Sequence, residues 1–352
     1  MLGSYLMVNY IKTFLLVLFV LLGLFYLYLL GELFFLFKDK NPSIFLSYTL
    51  NFLPIAFFYM SAFVTGLALI LVFRRIINKK LDLLFQSFGL SPLRLSSYIL
   101  IFSLFLSLMN LFGSYDLYAK NQKKLYRIER EYKKAKESES GVVRNLWLKE
   151  EAGEETRFYS FELVDVSTGR FHGFFLLKVK EGSIGELITA EGGRWKENRI
   201  EVNGASIRNL FTGETWTKDM EFHYLELEQI KPLAEKPEHL SMKEALMLGL
   251  LGEKMGVNSR YYLYEIVRRV LISTLPFYLS LALSWFYLRW RHFNLTLLSL
   301  LSLFFFHWLL LNFMRSLMEN TNIKFSLIFL LYLPIPLIAL KGFYDLGKGF
   351  RV

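Results

Sequence analysis

Gly342–Lys348 reads GFYDLGK, the first seven positions of a phosphate-binding loop, but Gly349 stands where a Ser or Thr would hold magnesium. The stretch also follows an apolar run, so the match carries no nucleotide chemistry. HExxH, Gly-x-Ser-x-Gly and His clusters with metal-ligand spacing are missing from the sequence. Asp and Glu of the middle segment fall at exposed strand positions, where they ordinarily sit, and define no acid–base pair. Cysteine is absent, which excludes disulfides and thiolate metal sites. An enzyme is not expected, nor a cofactor or metal on this chain.

The remaining candidates are electrostatic. His307 is the one titratable residue well inside an apolar run, and ionisable groups in a bilayer are rare enough to mark function by default. The plainer reading is a neutral imidazole bonded to a neighbouring helix. Glu32 and Arg315 flank apolar runs, and Lys38 and Lys40 lie just beyond the first. Placed at a bilayer centre, a charge of this kind costs about 2.5–3.5 kcal/mol; at an end it can snorkel. For Glu32 and Arg315 the plainer reading is interface anchoring; the functional one is a cationic mouth of Lys38, Lys40 and Arg315 for an anionic lipid headgroup, with Glu32 a further headgroup candidate.

Arg74–Arg94 carries Arg74, Arg75, Lys79, Lys80 and Arg94 against a single acid, Asp82. A loop this basic stays on the cytoplasmic side and fixes the orientation of the chain. Within it Leu81, Leu84, Phe85 and Phe88 recur at i, i+3, i+4 and i+7, one apolar stripe of a short helix over about residues 78–89. Gly89 suits its C-terminal end, and Ser91-Pro92 an N-cap followed by proline at the first position of the next helix. Such a helix can dock on a soluble motor or lie on anionic headgroups.

The elements that position these residues are apolar. With 54% hydrophobic residues the chain is too apolar for an ordinary soluble protein, while its 20% charged residues must be concentrated somewhere. A net charge of +10 then reads as topology and headgroup contact, with no nucleic-acid motif beside it. Six stretches suit a bilayer: Thr13–Gly31, Ile44–Phe73 with Pro54, Leu95–Tyr115, Val270–Leu288 with Pro276, Phe293–Met314 and Phe325–Leu340 with Pro334 and Pro336. The first is expected to be retained, since no small-residue cleavage site follows it. With the Arg74–Arg94 loop inside, the termini and Arg289–His292 are inside and the middle segment outside. Lys38 and Lys40 depart from that trend.

Residues 1–119 are thus expected to hold three spans and the loop helix, 120–262 an outside β domain with flanking helices, and 263–352 three more spans. The helix Lys120–Glu137 shows no apolar stripe wide enough for burial. Period-two alternation places Tyr159, Phe161 and Leu163 on one face, and likewise Phe175, Leu177 and Val179, and Leu225 and Leu227. Turns are expected at Asp165–Gly169, Glu191–Gly193 and Thr212–Glu214, with Asn203-Gly204 the best local hairpin signal. Together these predict an antiparallel sandwich.

The residues Tyr10–Leu15 (YIKTFL), the three-plus-three spans with an outside β insert, and Leu81–Ser91 (LDLLFQSFGLS) resemble the lipopolysaccharide-export permease family, LptF/LptG. Leu146-Trp147-Leu148, Ile188-Thr189-Ala190, Trp195 and Ile200–Val202 are similar to its insert. The resemblance covers nearly the full length. It implies six membrane helices around a periplasmic all-β jelly-roll-like domain, in one permease half of an ABC transporter of the bacterial inner membrane. Its partners would be a second homologous permease, a cytoplasmic ABC ATPase dimer that binds Mg-ATP, a periplasmic bridge protein and lipopolysaccharide. The ATPase-coupling residues would be Asp82, Leu83, Gln86, Phe88, Gly89 and Ser91. The family's acidic position falls on Leu81, however, one residue before Asp82. A β domain with an open apolar seam would shield acyl chains, with Phe161, Phe175, Leu177 and Leu225 as lining candidates. Two other readings fit less well. A membrane receptor with an extracytoplasmic ligand-binding sandwich would need a sizeable inside domain, and an enzyme acting on lipid would need more clustered carboxylates or histidines.

Overall fold

The computed structural model describes residues 2–37, 42–89, 91–132, 142–166, 168–180, 183–251, 259–320 and 323–348. Helices α1 (Leu2–Phe37), α2 (Pro42–Asn78), α3 (Leu81–Ser87), α4 (Pro92–Tyr115) and α5 (Leu117–Tyr132) precede a β insert. After it come α6 (Leu227–Ile230), α7 (Met242–Leu251), α8 (Ser259–Trp290), α9 (Phe293–Asn320), α10 (Phe325–Leu330) and α11 (Pro334–Lys348). Five of these, α1, α2, α4, α8 and α9, are long and apolar enough to cross a membrane. The sixth expected stretch is divided. A turn at Leu331–Leu333 separates α10 from α11, and Pro334 occupies the first position of α11, where its missing N–H costs nothing. Backbone bonds three residues back span the turn, from Leu331 to Ile328 (3.2 Å), Tyr332 to Phe329 (3.0 Å) and Leu333 to Leu330 (3.2 Å).

The chain divides into two compact units, residues 1–133 with 266–352, and residues 134–265. In the helical unit, close approach is permitted by Gly66 of α2. A Cβ there would stand 2.7 Å from Leu300 Cδ1 and 2.9 Å from Leu283 Cδ1. Several buried polar groups find partners between helices. Asn110 donates to Ser61 (2.8 Å), Tyr10 to the Thr65 carbonyl (3.1 Å), and the N–H of Phe277, just after Pro276, to the Ser107 hydroxyl (3.2 Å). Helix α5 departs from expectation. Tyr118, Asn121, Leu125 and Ile128 recur at helical spacing, and its inner face packs on α2, with the Tyr48 hydroxyl donating to Glu129 at 2.7 Å. Charges around the rest of the helix had masked that stripe.

The second unit is built on six antiparallel strands: β1 (Val142–Ala152), β2 (Glu155–Asp165), β3 (Arg170–Lys180), β4 (Ser183–Lys196), β5 (Arg199–Asn209) and β6 (Thr215–His223). Each strand neighbours the next in chain order. The expected antiparallel β domain is found, as one up-and-down sheet in place of the two sheets of a sandwich, with short connections joining every successive pair. The sheet curls on itself. Phe222 of β6 lies 5.8 Å from Phe174 of β3 and 6.3 Å from Tyr159 of β2, centroid to centroid. Inside the curl Phe161, Phe171, Phe174, Trp195 and Ile200 form the core, covered by residues that follow β6: Leu225, Leu227, Ile230 and Leu233.

Several expected details shift. Gly169 does close the β2–β3 turn with φ +70, and a Cβ there would run into the Trp195 carbonyl. The loop at Thr212–Glu214 is also found, with Gly213 at φ +74. Glu191–Gly193 lies inside β4, whose neighbouring backbones approach too closely for side chains at Gly192 and Gly193. Asn203-Gly204 is a bulge within β5, where Gly204 (φ +61) donates its N–H to Asp219 at 2.6 Å. Leu225 and Leu227 belong to no strand.

Candidate docking site at the α3 loop

Leu81–Ser87 folds as helix α3, as the spacing predicts. Lys80 enters with φ +53, and Gly89 leaves with φ +75, a conformation that favours glycine. Ser91 caps α4 by accepting the Arg94 N–H at 3.2 Å, ahead of Pro92. The turn–helix–turn is therefore fixed by local chemistry. Two apolar side chains are exposed here among the described ones: Leu84, at 48%, and Phe88, just past the end of α3, at 68%.

Asp82 faces the other way. About 200° of helical turn separates it from Leu84. Its side chain is only 4% exposed, and Oδ2 stands 3.2 Å from Nη2 of Arg291. Arg291 lies in the two-residue connection between α8 and α9, itself at φ +50. Two further contacts bind the helix ends together. The Arg74 guanidinium sits 4.3 Å from the centroid of the Phe293 ring, joining α2 to α9, and Arg289 lies 3.7 Å from Asp345, joining α8 to α11.

The six expected coupling residues are thus not equivalent. Phe88 and Gly89 are exposed, Ser91 is a cap, and Asp82 is buried in an ion pair within the chain. Leu83 and Gln86 lie on α3, their side chains outside the described residues. Of the headgroup candidates, Arg315 is half-buried on α9; Lys38, Lys40 and the side chain of Glu32 lie outside the described residues.

The four acyl-chain candidates do not share a surface. Phe161 is fully buried in the core and Leu225 packs against it from beyond β6. Phe175 and Leu177 point to the opposite face of the sheet, because Phe174 and Leu176 take the inward positions of β3. Phe175, Leu177 and Val179 do share one face, as the alternation predicts, but it is not the face that Phe161 lines. His307 is buried, with Nδ1 2.7 Å from the Tyr332 hydroxyl in the turn between α10 and α11. A hydrogen bond to a neighbouring segment is what the plainer reading expects. GFYDLGK is helical within α11, so its backbone cannot wrap a phosphate.

Three arginines escaped notice in the sequence. Arg291 counted only as loop charge; Arg268 and Arg269 looked like a flank of the fourth span. Arg268 lies 3.4 Å from the Tyr59 hydroxyl, and Arg269, 5% exposed, donates to the Ser114 carbonyl at 3.4 Å. A basic pair directly before an apolar run was the available signal.

A polytopic membrane protein with a β domain inserted between its helices, and an exposed apolar helix in a basic loop, is the class these features define. The sequence model of lipopolysaccharide export system permease LptF/LptG matches residues 4–346, and the chain belongs to that family. It is also 32% identical, over the whole of both chains, to an uncharacterized protein of Aquifex aeolicus (strain VF5).

Proposed function

We propose that this chain is one permease half of an ABC transporter that extracts lipopolysaccharide from the inner membrane. Its partners are a second homologous permease and a separate Mg-ATP-hydrolysing ATPase dimer. The observation that carries the reading, beside family membership, is α3: a capped helix in a basic loop with Leu84 and Phe88 turned outward. An exposed apolar pair at i, i+4 on a short rigid helix suits a groove on a soluble partner. With α10 and α11 together as a sixth span, the α3 loop and both termini lie on the cytoplasmic side. The β insert then lies in the periplasm, next to a β bridge protein.

Burying one methylene is worth roughly 0.8 kcal/mol, so lifting several acyl chains out of a bilayer is steeply uphill and needs a motor. Lys38, Lys40 and Arg315 supply the positive charge for headgroup phosphates, with Glu32 a further headgroup candidate. Acyl chains enter the curl of the sheet past Phe161 when Leu225 and the segment after it lift from the core. Phe175 and Leu177, on the other face, do not line that route.

The test is purification of the chain with and without its ATPase. The chain alone hydrolyses no ATP, and Leu84→Asp with Phe88→Asp abolishes capture of the ATPase. ATP turnover by the lone chain overturns the reading. A photoreactive residue at Leu225, but not at Phe175, is expected to capture lipopolysaccharide.

A further inference from the structure

We infer that Asp82 and Arg291 form an internal tie that delivers the movement of α3 to the α8–α9 hairpin. The inference rests on the proposed docking of an ATPase at α3 and assigns Asp82 a positioning role there. Three observations carry it. Asp82 is turned about 200° from the docking pair's first member, Leu84, so it cannot share their partner. Its carboxylate is buried yet ion-paired at 3.2 Å, and Arg291 Nη2 supplies the compensating charge that a buried carboxylate requires. Arg291 belongs to a connection too short to bend independently of its helices: its own N–H bonds the Tyr287 carbonyl at 2.8 Å, closing α8, while the next residue, His292, accepts the Thr296 N–H at 3.1 Å, opening α9.

A push on Leu84 and Phe88 therefore reaches two spans that α3 does not adjoin in sequence. Without the tie, the same push acts on α2 and α4, to which α3 is covalently connected. The Arg74–Phe293 contact strengthens the path, since it fastens the end of α2 to the first turn of α9.

The test uses the full complex in vesicles of phosphatidylethanolamine and lipopolysaccharide. Asp82→Asn and Arg291→Gln are each expected to leave ATPase capture intact and to lower lipid extracted per ATP hydrolysed about tenfold. The double variant is expected to be no worse than the single ones, and the exchange D82R/R291D to recover at least part of the loss. Because the chain has no cysteine, D82C/R291C supplies its only two thiols, and joining them with a short linker should keep extraction coupled. Loss of ATPase capture in Asp82→Asn would place Asp82 at the motor interface and overturn the tie. So would additive single effects, or a linked complex that hydrolyses ATP without extracting lipid. If Leu84→Asp and Phe88→Asp leave capture unchanged, it is the docking reading that fails.

Discussion

The Tyr224 hydroxyl donates to the carbonyl of Lys149 at 2.8 Å, fastening the segment after the last strand to the first strand. The ring of Tyr224 also stacks on Tyr159, centroids 4.9 Å apart. The curl of the sheet is thereby closed by one side chain at the lip of the core.

Alkaline pH should open that closure. Burial, and then the charge of Glu150, pushes the Tyr224 hydroxyl up to about 12. A folded value above the unfolded one of about 10 gives stabilisation that is complete below pH 10 and lost as pH rises through 12. Tyr224→Phe keeps the stacking, removes one hydrogen bond worth about 1 kcal/mol, and flattens the loss above pH 10. Amide exchange in β1 across that range measures both effects.

Ser107 is expected to hold the proline break in α8. Pro276 removes one rung of the helical ladder, and the neighbouring N–H of Phe277 is met from α4 by Ser107. Ser107→Ala should cost about 1–3 kcal/mol, the penalty for a buried donor left without that acceptor. Thermal unfolding in detergent would show it as a lowered midpoint, whereas Ser107→Thr should largely retain it.

Gly66 should tolerate no branched replacement. Small residues let membrane helices approach, and here Leu283 and Leu300 fill the space a Cβ would need. Gly66→Val is predicted to destabilise by about 1–3 kcal/mol through overpacking. Shortening the neighbours in the same chain, with Leu283→Ala, should relieve part of the cost. An additive double variant would show that the crossing is looser than described.

The proposed cationic mouth predicts a salt effect. Lys38→Gln, Lys40→Gln and Arg315→Gln together should reduce copurified anionic lipid, with the difference from the unaltered protein shrinking as salt shortens the Debye length to about 3 Å near 1 M. Lipid content equal in both proteins at low salt would eliminate the mouth.

Helix α3 was legible because its signals are local: the stripe from Leu81 to Phe88, Gly89 at one end and the Ser91-Pro92 cap beyond. The direction of Asp82 was not, since its partner Arg291 lies far along the chain and nothing near Asp82 marks it as inward. In the sheet, Tyr159 and Phe161 alternate with polar neighbours and their inward face was readable. Phe174-Phe175-Leu176-Leu177 is apolar on both faces, so period-two reasoning had no polar residue to fix the register. Asn203-Gly204 met the local rule for a hairpin, yet pairing with β4 and β6 on either side makes it a bulge. The apolar stripe of α5 was hidden for a related reason: Tyr118, Leu125 and Ile128 are spread thinly among charges and become a face only against α2.

The turn between α10 and α11 has a geometric consequence. Its N–H groups are already bonded three residues back, and Tyr332 is moored to His307. The peptide groups there keep partners where the helical ladder is interrupted, so α11 sets out in a direction of its own while α9 runs on unbroken.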